Sequence, residues 1–140
     1  MTTPGGAREA RNRLGRIGFD KVVGYIEALP ESEFLSRMRR LDPLQLADRL
    51  DLPEPPTLLD VREPGETERG VMDHAVAIPL GQLENRIDEL NPNAPTVLYC
   101  ASGIRSSVAA SLLAASGFSD VADLRGGFTA WRRASVPARQ

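Results

Sequence analysis

The sequence predicts an α/β fold, a central parallel sheet of about five strands flanked by helices on both faces. Three observations carry this expectation. Short apolar runs recur at residues 57–61, 75–78, 96–99 and 120–124, and unbroken runs of that length suit strands buried on both faces. Stretches of helical periodicity separate them, the pattern of βα units around a parallel sheet. A chain of 140 residues with 41% hydrophobic residues is also long enough to bury one core.

In chain order, residues 8–17 read as a helix with Ala10, Leu14 and Ile17 on one stripe, stopped at Gly18. Residues 21–26 read as a short strand. Within residues 30–41, Phe34, Ser36 and Met38 alternate with Leu35, Arg37 and Arg39, which favours a short edge strand over a helix. Asp42-Pro43 opens the next helix, an N-cap carboxylate followed by Pro at the first helical position, with Leu44, Leu46, Ala47 and Leu50 as its apolar face. A stiff Pro-rich loop leads into strand 57–61, and a charged turn with a short helix follows over 63–70. After strand 75–78, residues 79–90 read as a helix with Leu80, Leu83, Ile87 and Leu90 inward, ended by Asn91-Pro92. Strand 96–99 meets a small-residue loop over 100–105, then an alanine-rich helix over 106–115 whose Ala109, Leu112 and Leu113 face the core. Gly117-Phe118 turns the chain into the last strand. Beyond Arg125-Gly126-Gly127, whose glycines suit a tight turn, a final helix carries Phe128 and a core Trp131.

The chain also resembles itself. Ala10, Leu14, Gly18, Phe19 and Val22 recur at Ala109, Leu113, Gly117, Phe118 and Val121, in one register. Both copies read helix, Gly-Phe turn, strand, so residues 1–41 read as the end of an incomplete repeat plus a linker.

Composition excludes several function classes. Acid and base nearly balance, 19 against 17, for a net charge of -2, unlike the basic face of a nucleic-acid binder. Sixteen of the basic residues are Arg, scattered along the chain, and Lys21 is the single Lys. One cysteine excludes an internal disulfide or a cysteine-based metal cluster. With one histidine, a zinc site would need carboxylate ligands. No apolar run approaches a membrane span, and the first residues lack the apolar core of a secretory signal. The expectations are a cytoplasmic protein with no membrane partner, no nucleic acid, no metal and no organic cofactor.

The chemistry points to Cys100-Ala101-Ser102-Gly103-Ile104-Arg105-Ser106. Small residues let the backbone curl so that successive N–H groups converge on one centre. A helix starting near Ser106 adds its own unpaired N–H groups and partial positive charge. A thiol in that bowl is acidified, because these dipoles stabilise the thiolate. Arg105 offers a planar fork of donors to an oxyanion. The arrangement is a nucleophilic sulfur in an anion cradle. It works only if the amides face the sulfur and reagents can reach it.

Four motifs in order, residues 59–66 (LDVREPGE), 75–80 (AVAIPL), 99–106 (YCASGIRS) and 117–131 (GF…LRGGFTAW), resemble rhodanese domains. The resemblance spans about residues 42–136, leaves 137–140 as a tail, and implies the rhodanese-like fold. It also implies that Cys100 accepts sulfur, and that the six residues from Cys100 to Arg105 have the loop length of sulfurtransferases rather than of related phosphatases. The expected function is a thiosulfate-type sulfurtransferase: a sulfane sulfur passes from thiosulfate or a persulfide donor to a thiol or cyanide through a Cys100 persulfide. Asp60 and Arg62, at the end of strand 57–61, and Glu66 are expected to support the pocket, the first two as a structural ion pair. The segment at 8–26 is similar to tandem rhodanese modules fused behind metallo-β-lactamase-type hydrolases. That likeness motivates the alternative, a non-catalytic sulfur carrier or docking module for a hydrolase or dioxygenase, with residues 8–41 contacting a partner or a second copy. Residues 70–75 depart from the family wording: Val71 stands where the family has histidine, Thr67 where it has an aromatic, and His74 reads as a solvated loop residue.

Overall fold

Strand alternation decides where the core lies. Leu58, Val97, Tyr99, Ala122 and Leu124 fall on one side of their strands, and Leu59, Leu98 and Val121 on the other. Both sets are buried, so the sheet needs cover on both faces. The computed structural model of the chain, which describes residues 6–15, Lys21 and residues 38–134, provides that cover. One cluster joins Leu58, Val97, Tyr99, Ala122 and Leu124 to Leu41, Leu46 and Met72. The second joins Leu59, Leu98, Val121 and Cys100 to Ala109, Ala110 and Leu113.

The sheet consists of β1 (Arg39–Leu41), β2 (Thr57–Asp60), β3 (Val76–Ala77), β4 (Thr96–Tyr99) and β5 (Val121–Leu124), all parallel, in the order β1-β5-β4-β2-β3. The α/β expectation with five parallel strands holds. The chain leaves β2 towards one edge and returns to build β4 and β5 on the other side. The carboxyl ends of β2 and β4 therefore lie at the switch point, where α/β sheets place their sites. Of the edge strand expected within 30–41, residues 30–37 lie outside the described residues and residues 39–41 form β1, in a compact unit that begins at Arg37.

Helices α2 (Pro43–Leu50), α3 (Pro64–Thr67), α4 (Ile104–Ala115) and α5 (Gly127–Arg133) accompany these strands. The Asp42 carboxylate accepts from the Gln45 amide at 2.9 Å while Gln45 Oε1 accepts from the Asp42 amide at 3.0 Å. This is a complete capping box around Pro43.

Three expectations are corrected. Residues 79–90 form no α-helix but two 3-10 turns, Leu80–Gln82 and Glu84–Glu89. The Leu80 amide donates to the Val61 carbonyl, and the Leu83 and Leu90 amides return to the Leu80 and Ile87 carbonyls, the three-residue spacing of 3-10 turns. Strand 75–78 contracts to the two exposed residues of β3, because it is a sheet edge, and only Ile78 is buried. The helix expected at 106 starts two residues earlier, so Ile104 and Arg105 belong to α4.

In the separate amino-terminal unit, α1 (Ala7–Gly15) is helical as expected. The Gly18-Phe19 turn and nearly all of the strand expected at 21–26 lie outside the described residues; Lys21 carries no strand assignment. Among the described residues no helix is long and apolar enough to cross a membrane.

Candidate active site

Cys100 is the first residue beyond β4, and it continues the alternation of Leu98 onto the face that α4 covers. Its loop is held from outside. The first free amides of α5 point at it: Phe128 N–H donates to the Cys100 carbonyl at 2.8 Å and Thr129 N–H to the Ala101 carbonyl at 3.1 Å. That approach requires Gly127, whose φ is +58° and where a Cβ would run into the Cys100 carbonyl and lie 2.8 Å from the Ala101 oxygen. The sequence reading gave this glycine a turn; its larger task is to let α5 touch the cysteine loop. With their carbonyls turned outward, the loop peptides can turn N–H groups inward.

The amides do converge on the sulfur. Gly103 N–H donates to Cys100 Sγ at 3.1 Å, and Sγ lies 3.7 Å from Ser106 Oγ, with the thiol donating to the hydroxyl. On ionisation that bond reverses, the hydroxyl donating to the thiolate. Burial pushes the Cys100 thiol up, but the Ser106 amide and hydroxyl and the Gly103 and Ser102 amides outweigh it, and the thiol sits below its ordinary value. Gly103 takes φ +99° as the residue capping α4, a left-handed turn that aims its amide at the sulfur. The second requirement is not met in this structure, where Cys100 packs in the apolar cluster with Leu98, Ala109 and Leu113. Cys100 is 1% exposed, the floor of the bowl rather than its rim.

Arg105 does not stand free in the cradle. Its Nη1 and Nη2 donate to Glu66 Oε2 and Oε1 at 2.6 and 2.8 Å. The pair raises the Arg105 guanidinium and lowers the Glu66 carboxyl to about 2, chiefly through these hydrogen bonds. Cys100 is among the groups that further raise Arg105, so the guanidinium still senses the sulfur. Glu66 thus bridges α3 to α4 beside the loop.

Asp60 and Arg62 are a buried ion pair, with Arg62 Nη2 donating to Asp60 Oδ2 at 2.6 Å and Nε to Oδ1 at 2.9 Å. Arg62 also donates to the Gly70 carbonyl at 2.8 Å and stacks 4.1 Å above the Phe128 ring. It links β2 and the loop after α3 to α5, and through the Phe128 amide to the cysteine loop. Tyr99 completes this wall: its hydroxyl accepts from the Met72 amide at 3.1 Å, and burial pushes its phenol well above the ordinary value.

Of the residues the sequence singled out, Cys100, Ser102, Gly103 and Ser106 meet at the sulfur, Ala101 is held by its carbonyl, and Arg105 joins Glu66. The Ile104 side chain is 74% exposed and lies outside the cradle. Val71 is 44% exposed, and His74 is an exposed turn residue with φ 61°. The sequence reading missed Arg40 and Asp123. Arg40 donates from Nε and Nη2 to the fully buried Asp123 carboxylate at 3.0 and 2.9 Å. The available signal was a carboxylate inside an apolar strand run, which needs a partner.

The chain is similar to known proteins over this same region. Residues 42–134 match the family model described as "Rhodanese-like domain". A "Sulfurtransferase" of Allochromatium vinosum is 34% identical over 100 residues, covering 71% of this chain and 94% of that protein. "Thiosulfate sulfurtransferase GlpE" of Pseudoalteromonas translucida is 32% identical over 65% of this chain and 83% of its own. The crystal structure of a rhodanese-related protein from Thermoplasma volcanium superposes with a TM-score of 0.65 at 28% identity, covering 71% of this chain and 95% of that one. With its parallel sheet, its cysteine loop after β4 and a family match over most of the chain, the protein belongs to the rhodanese-like domain family.

Proposed function

We propose that the protein is a sulfurtransferase that carries a sulfane sulfur on Cys100. The observation that carries this reading is the convergence of the Gly103, Ser102 and Ser106 amides on Sγ, which holds the thiol below its ordinary value. The thiolate attacks the outer sulfur of thiosulfate, the S–S bond of the donor breaks, and sulfite leaves with the electron pair. The new persulfide anion occupies the same amide bowl. A thiol or cyanide then attacks the terminal sulfur and returns Cys100 as thiolate. The names of the two relatives support sulfur transfer and, for one of them, thiosulfate as donor.

In this reading the anionic end of the donor exchanges with Glu66 for the Arg105 fork, because both terminal nitrogens are already engaged. Thiosulfate:cyanide turnover of the full chain tests the assignment. Cys100→Ser is expected to lose turnover completely, and residual activity equal to wild type would falsify it. The 1% exposure of Cys100 favours a second reading, a sulfur carrier that loads slowly and does not turn over. Persulfide formation without thiocyanate release would select it.

A further inference from the structure

The carbonyls at the start of the cysteine loop are tied down by α5, and the Gly103 carbonyl at its far end is approached from the edge strand β1. Arg40 sits on β1 in register with Asp123 of β5. Its guanidinium grips both carboxylate oxygens and extends Nη2 to 3.5 Å from the Gly103 carbonyl. A Cβ built on Gly103 would meet that same Nη2 at 3.3 Å, the Gly126 amide nitrogen at 3.3 Å and the Leu124 carbonyl at 3.5 Å. Gly103 is therefore boxed in by β1, the end of β5 and the cap of α5.

We infer that Arg40 is a positioning residue for the nucleophile: by holding the Gly103 carbonyl while anchored on buried Asp123, it fixes the left-handed turn that points the Gly103 amide at the Cys100 sulfur. Asp123, fully buried, holds the Arg40 fork in place, and a planar fork is the one side chain that serves two acceptors at fixed spacing. Arg40 lies on β1, just ahead of residues 42–134, the stretch matched by the family model. The other charged groups around the loop are Arg105 of α4 with Glu66 of α3, and the Asp60–Arg62 pair of β2; neither pair reaches Gly103 in the hydrogen bonds of the site.

The inference deepens the reading of Cys100 as nucleophile, and its test uses no sulfur donor, so the two can fail separately. The rate of Cys100 alkylation by iodoacetamide is followed against pH in the full chain for wild type, Arg40→Lys, and Arg40→Met combined with Asp123→Asn. The paired substitution avoids leaving a buried carboxylate alone, and Lys keeps an ion pair on Asp123 without spanning to Gly103. Both variants are expected to move the alkylation midpoint upward by about half a pH unit, which lowers the rate below the midpoint about threefold. Arg40→Lys is expected to do so with a melting temperature close to wild type, an outcome that a purely structural role does not give. Wild-type midpoints in both variants would overturn the inference.

Discussion

At Cys100 two effects oppose each other, and the sign of the outcome sets the chemistry. Burial favours the neutral thiol, while the amides of Ser102, Gly103 and Ser106 and the Ser106 hydroxyl favour the anion and prevail. The alkylation midpoint of wild type is therefore expected below that of an ordinary exposed thiol. Ser106→Ala, which removes the hydroxyl but keeps the amide, is expected to raise it by about half a unit, and an unchanged midpoint would place the acidifying effect in the amides alone. Glu66 supplies a second test. Its carboxyl is lowered from 4.5 to about 2, so the stability it contributes is fully present above about pH 4.5 and is lost as the pH falls towards 2. The pair is about one-third exposed on each side, so it is worth at most ~1 kcal/mol. Correspondingly, Glu66→Gln is expected to lower the KM for thiosulfate no more than about fivefold. A raised KM would show that Glu66 orders Arg105 for the donor rather than competing with it. These roles were only half legible. The cysteine, the small loop and the arginine stand together in the sequence, whereas the Glu66–Arg105 contact joins residues 39 positions apart.

The elements show why local signals sufficed in some places and failed in others. Asp42-Pro43 names its own helix start because both halves of the capping box lie within four residues. Residues 79–90 carry the same kind of apolar spacing, yet a distant tie, Leu80 N–H to the Val61 carbonyl, accompanies 3-10 turns in place of an α-helix. Periodicity cannot report such a tie. The contact of α5 with the cysteine loop is equally invisible in the Gly126-Gly127 pair, which reads as a turn. It makes a sharp prediction: Gly127→Ala places a methyl group against the Cys100 and Ala101 backbone at a positive φ. Strain and clash together are expected to cost on the order of 3–5 kcal/mol, read by denaturant unfolding, with loss of thiol acidity. A variant as stable as wild type would show that α5 does not hold the loop.

For the whole molecule, the sheet order places β2 and β4 side by side with their carboxyl ends at one switch point, and both the cysteine loop and the Asp60–Arg62 wall follow from that placement. The family motifs made this architecture readable from residue 42 onward. What they left out is β1, three residues that close one edge of the sheet and bring Arg40 to the site. A chain starting at Arg37 retains that strand, and one starting at Asp42 leaves Asp123 buried without Arg40. The shorter chain is expected to be less stable by about 3–5 kcal/mol in denaturant unfolding; equal stability of the two would remove β1 from the account. The contacts of α5, Arg40 and the loop amides converge on one sulfur atom, that of Cys100. The intact mass of the full chain after incubation with thiosulfate is expected to rise by one sulfur, carried on Cys100 and removed by cyanide. A protein that stays unmodified, or that gains sulfur equally well as Cys100→Ser, would contradict the account.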